Sequence, residues 1–342
     1  MNWLVVLAGG RGERFWPLSR QRRPKQFLRL LSDRTMIQET VDRVAALFPP
    51  ERTLVVTGAD YVDLVCEQLP AVPRGHVLGE PVGRNTAPSV AWAARWIMER
   101  DPEAVLTVLP SDHAILRPEA FRKLLRQAVG YAAETGRMTL FGIVPDRPET
   151  GFGYIEVARP GPGPIDVVRF VEKPDVVRAR EMVASGRHYW NSGMFVLPLG
   201  TFWATLERTL PEVAGGAEAL VRRPGAESAV FAALPEVSLD VGVMERAGHL
   251  AVMPADIGWD DVGTFAAVAR IRAEQQPDRV HLDRTDDVVV IGEEGPWVAG
   301  IGIRHLVVVR TPDVVLILPP EEAQEVRQVV RQLAERGCHE LL

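Results

Sequence analysis

Four runs of apolar, mostly β-branched residues punctuate the N-terminal part of the chain: Trp3–Ala8, Leu54–Thr57, Val105–Leu109 and Met138–Val144. Between them, apolar positions recur at helical spacing over Met36–Leu47, Tyr61–Leu69, Ala87–Met98 and Phe121–Ala133. Continuous apolar strands alternating with amphipathic helices predict an α/β fold whose mostly parallel sheet is covered on both faces. Such sheets take ligands at the carboxyl ends of their strands, which singles out the loops after Ala8 and Leu109.

From Gly151 the pattern loosens. Strand-like Gly153–Val157, Val167–Glu172 and Met194–Leu197 are separated by turns such as the proline-rich Arg159–Pro164, as in a lobe inserted beside a site. The polar stretch Ala273–Arg284 marks a boundary, followed by short β-rich runs at Val288–Ile291, Val298–Ile303, Leu306–Val309 and Val314–Leu318. A terminal helix is expected, with Ala323, Val326, Val330 and Leu333 on one face and Gly337 as its stop. The predicted organisation is a domain over 1–272, with its inserted lobe at about 150–255, and a C-terminal β-rich domain with a terminal helix over 285–342.

Composition narrows the class. The 342 residues carry 45 acidic and 39 basic side chains, a formal charge of −6, which argues against a general nucleic-acid binder. Two cysteines, Cys66 and Cys338, make no disulfide framework and no C-x-x-C, and the seven histidines show no H-x3-H spacing. Trp3–Ala8 is too short to span a membrane and has no basic segment before it. A soluble, cytoplasmic protein that binds neither membrane nor nucleic acid is expected. Lysine occurs only at Lys25, Lys123 and Lys173, against 36 arginines, so a lysine can mark a place where a compact ammonium is needed.

The first strand runs into Leu7-Ala8-Gly9-Gly10-Arg11-Gly12-Glu13-Arg14, and glycines directly after a buried strand let backbone N–H groups cradle phosphate oxygens. No G-K-[ST] follows, and Phe15 stands where a dinucleotide fingerprint needs its third glycine. Arg11, Arg14, Arg20, Arg22, Arg23 and Lys25 crowd this segment with only Glu13 against them, a focused positive field for an anionic substrate. Asn85 or Thr86 is placed to cap the helix beginning near Thr86, leaving free N–H groups for a ligand. Asp112 ends a buried strand, where a carboxylate is costly unless it meets a cation or a hydrogen-bond donor.

Gly9–Arg14 followed by Pro24-Lys25-Gln26-Phe27-Leu28 resembles the signature of sugar-1-phosphate nucleotidylyltransferases. The Phe15-Trp16-Pro17-Leu18-Ser19-Arg20 insert narrows the resemblance to the mannose-1-phosphate guanylyltransferases (GDP-mannose pyrophosphorylases), with Arg11 at a position the family fills variously. The resemblance implies a Rossmann-like catalytic domain and a left-handed β-helix-like tail, of a kind that often packs between subunits, so a homodimer is one expected assembly. It implies transfer of GMP from GTP to mannose 1-phosphate, giving GDP-mannose and pyrophosphate with Mg²⁺. The alternatives are the same transfer with another nucleotide and hexose 1-phosphate, or a non-catalytic sugar-nucleotide sensor.

By resemblance, Arg14 and Lys25 are catalytic cations at the reacting phosphates, and Ala8, Gly9, Gly10, Arg11, Gly12, Glu80, Asn85 and Thr86 bind the nucleotide. Glu80, in Gly79-Glu80-Pro81-Val82-Gly83-Arg84-Asn85-Thr86, is the acceptor for the guanine N1–H and amine. Asp112 and Asp261 of Gly258-Trp259-Asp260-Asp261 form the metal pair, since Mg²⁺ accepts one or two carboxylates plus phosphate oxygens. Gly153, Glu172, Lys173, Asn191 and Asp240 fall in the sugar-phosphate motifs, with Glu245 as a weaker candidate. The tail is too short for the isomerase domain of longer relatives, and no isomerase activity is expected.

Overall fold

The computed structural model describes residues 1–10, 12–272, 277–292 and 294–342. The chain folds as two compact units: Met1–Gly9, Thr40–Ser111 and Ile115–Trp259 make the first, and Gly10–Glu39, Asp112–Ala114 and Asp260–Leu342 the second.

In the first unit, β1 (Asn2–Ala8), β2 (Thr53–Gly58), β3 (Val77–Glu80) and β4 (Val105–Pro110) form the parallel half of a nine-stranded sheet. β1 lies between β2 and β4, with Val5 opposite Leu54 on one side and Val108 on the other. After the two-residue strand β5 (Ala114–Ile115) come β6 (Thr139–Ile143), β7 (Tyr154–Val157), β8 (Ile165–Val171), β9 (His188–Pro198) and β10 (Ala251–Ala255). The order across the sheet is β3-β2-β1-β4-β9-β6-β10-β8-β7. β9 enters between β4 and β6 antiparallel to both, with Thr107 opposite Val196 and Leu140 opposite Phe195. The mostly parallel sheet expected from the strand–helix alternation therefore holds for the N-terminal half. Beyond it the sheet is mixed, because the chain returning from the inserted lobe supplies strands that run the other way.

Seven helices accompany these strands: α1 (Met36–Val44), α2 (Val62–Gln68), α3 (Thr86–Met98), α4 (Pro118–Thr135), α5 (Val176–Ser185), α6 (Leu199–Thr209) and α7 (Pro211–Arg222). Two more, α8 (Glu227–Ala233) and the single-turn α9 (Leu239–Gly242), follow. α3 is buried along most of its length because it sits between the sheet and other helices, packing on α6, α7 and α9. Trp92, Phe202, Leu206, Val213 and Phe231 continue the core of Leu54, Leu106 and Phe195 outward from the sheet.

The second unit follows the two-residue strand β11 (Trp259–Asp260) with α10 (Phe265–Ile271), β12 (Val280–Asp283), β13 (Asp286–Ile291), β14 (Val298–Ile301), β15 (Arg304–Arg310), β16 (Val315–Leu318) and α11 (Val326–Glu335). β12 pairs in parallel with β14, and β13 with β15 (Val289 opposite Val307), while β16 closes antiparallel on β15. Parallel pairing of strands one step removed is the winding of a small β-helix. Its core brings Val289, Ile291, Val307 and Val309 together with Phe15, Trp16, Leu28 and Leu30 of the glycine-loop segment and with Phe265 and Val268 of α10. The expected apolar face of the terminal helix lies on this core, and Gly337 stands just past α11 with φ +75°.

Candidate active site

The predicted residues fall into three groups, each within one unit. In the first unit, β3 delivers Glu80 to the sheet's carboxyl end, where it is only 7% exposed. Ser89, one turn into α3, has its Oγ 2.5 Å from Glu80 Oε1 and 3.0 Å from the Asn85 carbonyl, so its single proton faces two acceptors. Burial drives the Glu80 carboxyl up to about 7, against the lowering effect of the Ser89 hydrogen bond. Gly9 follows β1 so closely here that a Cβ on it would lie 3.8 Å from Glu80 Oε2. Ala8 is buried at the end of β1, and its carbonyl accepts from Thr57 Oγ1 at 2.9 Å.

Asn85, not Thr86, caps α3: its side chain accepts from the Thr86 N–H at 2.9 Å, with Asn85 itself at φ 67°. Thr86 Oγ1 instead accepts from the Leu239 N–H at 2.8 Å, tying α3 to α9.

The second unit holds Gly10, Gly12, Arg14, Lys25, Asp112 and Asp261; Arg11 lies outside the described residues. Lys25 opens a 3-10 turn, Lys25–Phe27, and is 5% exposed. Its Nζ donates to the Asp112 carbonyl (2.9 Å), to Asp112 Oδ2 (3.0 Å) and to the Asp261 carbonyl (2.9 Å). An ammonium has three N–H groups, and this geometry uses three acceptors. Lys25 thus pins two segments distant in sequence to one point, and its charge also lies 5.3 Å from the centre of the Phe15 ring.

Gly12 is required beneath this arrangement. It has φ +64°, and a Cβ on it would fall 2.4 Å from Lys25 Cβ. Burial alone would raise the Asp112 carboxyl, but Lys25, and then His113, bring it below its ordinary value, so it stays ionised. Asp260 is consumed structurally: Oδ1 accepts from the Val262 N–H at 2.7 Å and Oδ2 pairs with Arg270. Val262, wholly buried, holds φ 46°, a costly conformation for a β-branched residue directly after Asp261. The Asp261 carboxylate turns toward Gly263, whose added Cβ would lie 2.8 Å from Oδ2.

Arg14 has a buried Nε with no hydrogen-bond partner among the described residues. Its guanidinium is pushed below its ordinary pKa by burial and by Arg327, with Asp261 opposing. Arg327 was not found by sequence reasoning. It lies in α11, which packs on the turn carrying Arg14, and nothing local marks it because the proximity is purely tertiary.

The third group is back in the first unit. Asn191, in β9, donates from Nδ2 to Asp240 Oδ1 at 2.6 Å, and its backbone N–H donates to the Gly153 carbonyl at 2.8 Å. Gly153 is crowded, since a Cβ there would lie 2.6 Å from Glu172 Oε2. Burial pushes the Asp240 carboxyl up to about 6; the Asn191 hydrogen bond lowers it, and Glu172 and Glu245 raise it again. Glu245 is raised too, by burial and then by Glu172. Lys173, at φ 43°, forms an ion pair with Glu172 at 3.0 Å and is largely exposed. Three carboxylates around one amide make an acceptor-rich patch suited to hydroxyl donors.

Asp112 and Asp261 were the expected metal ligands. No group of three or more His, Cys, Asp or Glu side chains able to hold a metal occurs among the described residues. Two carboxylates with an ionised member fit a cation that completes its shell from water and phosphate oxygens, as Mg²⁺ does. Among the described residues no helix is long and apolar enough to cross a membrane.

The parallel half-sheet, the glycine segment after its first strand and the lysine that joins Asp112 to the Asp261 backbone suit a nucleotidyl-transferring class of protein. Comparison with known sequences bears this out: the nucleotidyl transferase family matches residues 4–276, and a MannoseP isomerase/GMP-like beta-helix domain matches residues 278–333. The mannose-1-phosphate guanylyltransferase ManC of Salmonella typhimurium is 40% identical over 98% of this chain and 74% of its own length. The mannose-1-phosphate guanylyltransferase of Escherichia coli K12 is 39% identical over the same shares. Among solved structures, a Thermus thermophilus protein described as a mannose-1-phosphate geranyltransferase superposes with a TM-score of 0.89 at 36% identity, covering 97% of this chain and 99% of that one. The chain belongs to the nucleotidyl transferase family and carries a MannoseP isomerase/GMP-like beta-helix domain.

Proposed function

We propose that the protein transfers GMP from GTP to mannose 1-phosphate, releasing pyrophosphate. The carrying observation is Lys25, whose ammonium gathers Asp112 and Asp261 at the end of the phosphate loop. In this reading an oxygen of the sugar phosphate attacks the α-phosphorus in line, a new P–O bond forms, and the bond to the departing pyrophosphate breaks. The attacking phosphate is already ionised at neutral pH, so no general base is needed. What remains for the protein is to align two anions and stabilise charge on the non-bridging oxygens.

Arg14 suits the triphosphate because its buried Nε–H lacks an acceptor, which a phosphate oxygen would supply. Lys25 contributes a fixed positive charge and keeps Asp112 and Asp261 in place. Those two carboxylates would hold Mg²⁺, which supplies charge neutralisation at the phosphates when bound. Backbone N–H groups of Gly9, Gly10, Arg11 and Gly12, with Ala8 behind them, serve the phosphates. Asn85 and Thr86 serve the nucleotide at the start of α3.

Glu80 selects the base. An ionised carboxylate accepts from guanine N1–H and the exocyclic amine together, a pair of donors that uracil and thymine lack. Glu172, Asn191 and Asp240 bind mannose hydroxyls across from Gly153, and Lys173 exchanges Glu172 for the sugar phosphate. The tail exposes Trp297, Ile301, Val315 and Ile317, apolar side chains that assembly as a homodimer would cover.

The test is pyrophosphate release with Mg²⁺ across four nucleoside triphosphates and several hexose 1-phosphates. A dominant signal for GTP with mannose 1-phosphate is expected. Release with another pair would discard the base and sugar assignments, and silence from folded protein that still binds GDP-mannose would replace catalysis by sensing.

A further inference from the structure

A cavity of about 230 Å³ in the second unit is walled by Arg23, Arg29, Arg272 and Arg310, with Glu294 the one carboxylate among its described lining residues. Four guanidinium groups around so small a space, in a chain of formal charge −6, concentrate positive potential. Arg310, at the end of β15, is 0% exposed. It donates to the carbonyls of Gly292 (3.0 Å), Arg279 (3.2 Å), Pro296 (2.6 Å) and Asp278 (2.5 Å), so dipoles rather than a carboxylate solvate its charge. Arg29 is exposed and has no partner among the described residues, while Arg272 makes only a 3.4 Å contact to the Leu30 carbonyl.

The cavity is smaller than the roughly 300–1,000 Å³ of pockets for drug-sized ligands, so a compact anion fits it and a whole nucleotide sugar does not. The planar forks match phosphate oxygens in pairs. Its walls also reach the turn that carries Lys25. Arg23 Nε donates to the carbonyl of Phe27, the turn's last residue, at 3.4 Å, and Leu28, another wall residue, donates its N–H to the Lys25 carbonyl at 3.0 Å.

We propose that this arginine-lined cavity binds a compact diphosphate anion and, through Arg23 and Leu28, acts on the turn that positions Lys25. Nothing in the catalytic reading requires this cavity.

The probe is inorganic pyrophosphate, titrated calorimetrically in EDTA so that no divalent cation supports binding at Asp112 and Asp261. Wild type, Lys25→Ala and the double variant Arg29→Ala/Arg272→Ala are compared. The expected result is one binding event, kept in Lys25→Ala and weakened at least tenfold in the double variant. Arg29→Ala alone, at an exposed position, should weaken it at least threefold, so a folding defect in the double variant cannot decide the matter. Unchanged binding in the arginine variants, or loss of binding in Lys25→Ala alone, overturns the proposal. In turnover assays, pyrophosphate should alter the rate of wild type more than that of Arg29→Ala, and equal responses would overturn the coupling to Lys25. The binding measurement needs no activity, so its failure is separate from failure of the catalytic assignment.

Discussion

Glu80→Gln gives the sharpest test of how base recognition is built. Glu80 is 7% exposed, and burial raises its carboxyl from 4.5 to about 7. A shift of that size corresponds to about 3 kcal/mol of differential stability between the protonated and ionised forms. The sign follows from proton uptake. Between the two pKa values the folded protein binds more protons at this site than the unfolded chain, so stability falls as pH rises through that window. Relative to Glu80→Gln, wild type should lose about 2–3 kcal/mol of unfolding free energy between pH 5 and pH 8. Above pH 8 the difference should level off.

Guanine binding runs the opposite way, because the ionised carboxylate is the form with two acceptors. The wild-type kcat/KM for GTP should therefore climb toward a plateau above pH 7, while Glu80→Gln shows a flatter profile and at least a tenfold lower value at pH 8. Chemical denaturation at half-unit pH steps, paired with initial rates on the same preparations, reads both trends. A wild-type-minus-variant stability difference that is flat from pH 5 to pH 8 refutes the buried-carboxylate reasoning.

Lys25→Met keeps the volume of the side chain and removes three charge-assisted donors from Asp112 and Asp261. Turnover should fall at least a hundredfold while circular dichroism stays native, and near-normal turnover would remove Lys25 from the mechanism. Gly12→Ala forces a Cβ into Lys25 at a left-handed backbone position. It should cost about 1–3 kcal/mol of stability and lower kcat more than KM, as thermal melts and saturation curves will show. Asn191→Ala removes the hydrogen bond that holds the Asp240 carboxyl down, so that carboxyl should titrate above about 6. The KM for mannose 1-phosphate should rise about tenfold with the KM for GTP unchanged; equal changes in both would detach Asn191 from the sugar.

The strands that read most clearly from sequence were those buried on both faces, because β1, β2, β4 and β6 are nearly continuous apolar runs. β3 does not stand out in the sequence, since its four residues, Val77–Glu80, include a glycine and a glutamate rather than a continuous apolar run. β9 read as Met194–Leu197 but spans His188–Pro198. Its first half carries Asn191 and Ser192, polar residues satisfied by tertiary partners, Asp240 and the Phe141 carbonyl. The helices from Leu199 to Ala233 were not read at all, their apolar faces being matched to neighbours rather than to a strand pattern.

The phosphate loop and the acids stood out because glycine after a strand and a carboxylate at a strand end are locally expensive. Arg327 and Ser89 did not, because their roles exist only once the chain is packed. Lysine scarcity proved informative at Lys25, whose buried ammonium matches its three N–H groups to three oxygens. It was uninformative at Lys123, which lies on the exposed side of α4.

The second unit is assembled from pieces: the glycine-loop segment Gly10–Glu39, the three residues Asp112–Ala114 and everything from Asp260 onward. During synthesis the chain emerges N-terminal end first. Arg14 and Lys25 leave the ribosome early, yet the apolar partners that bury Phe15, Leu28 and Leu30, and the carbonyl of Asp261 that Lys25 grips, arrive only with the last strands. The segment that carries Arg14 and Lys25 must therefore be among the last parts to acquire its shape, and a nascent chain halted before Asp260 would display a cationic, glycine-rich loop with no core of its own.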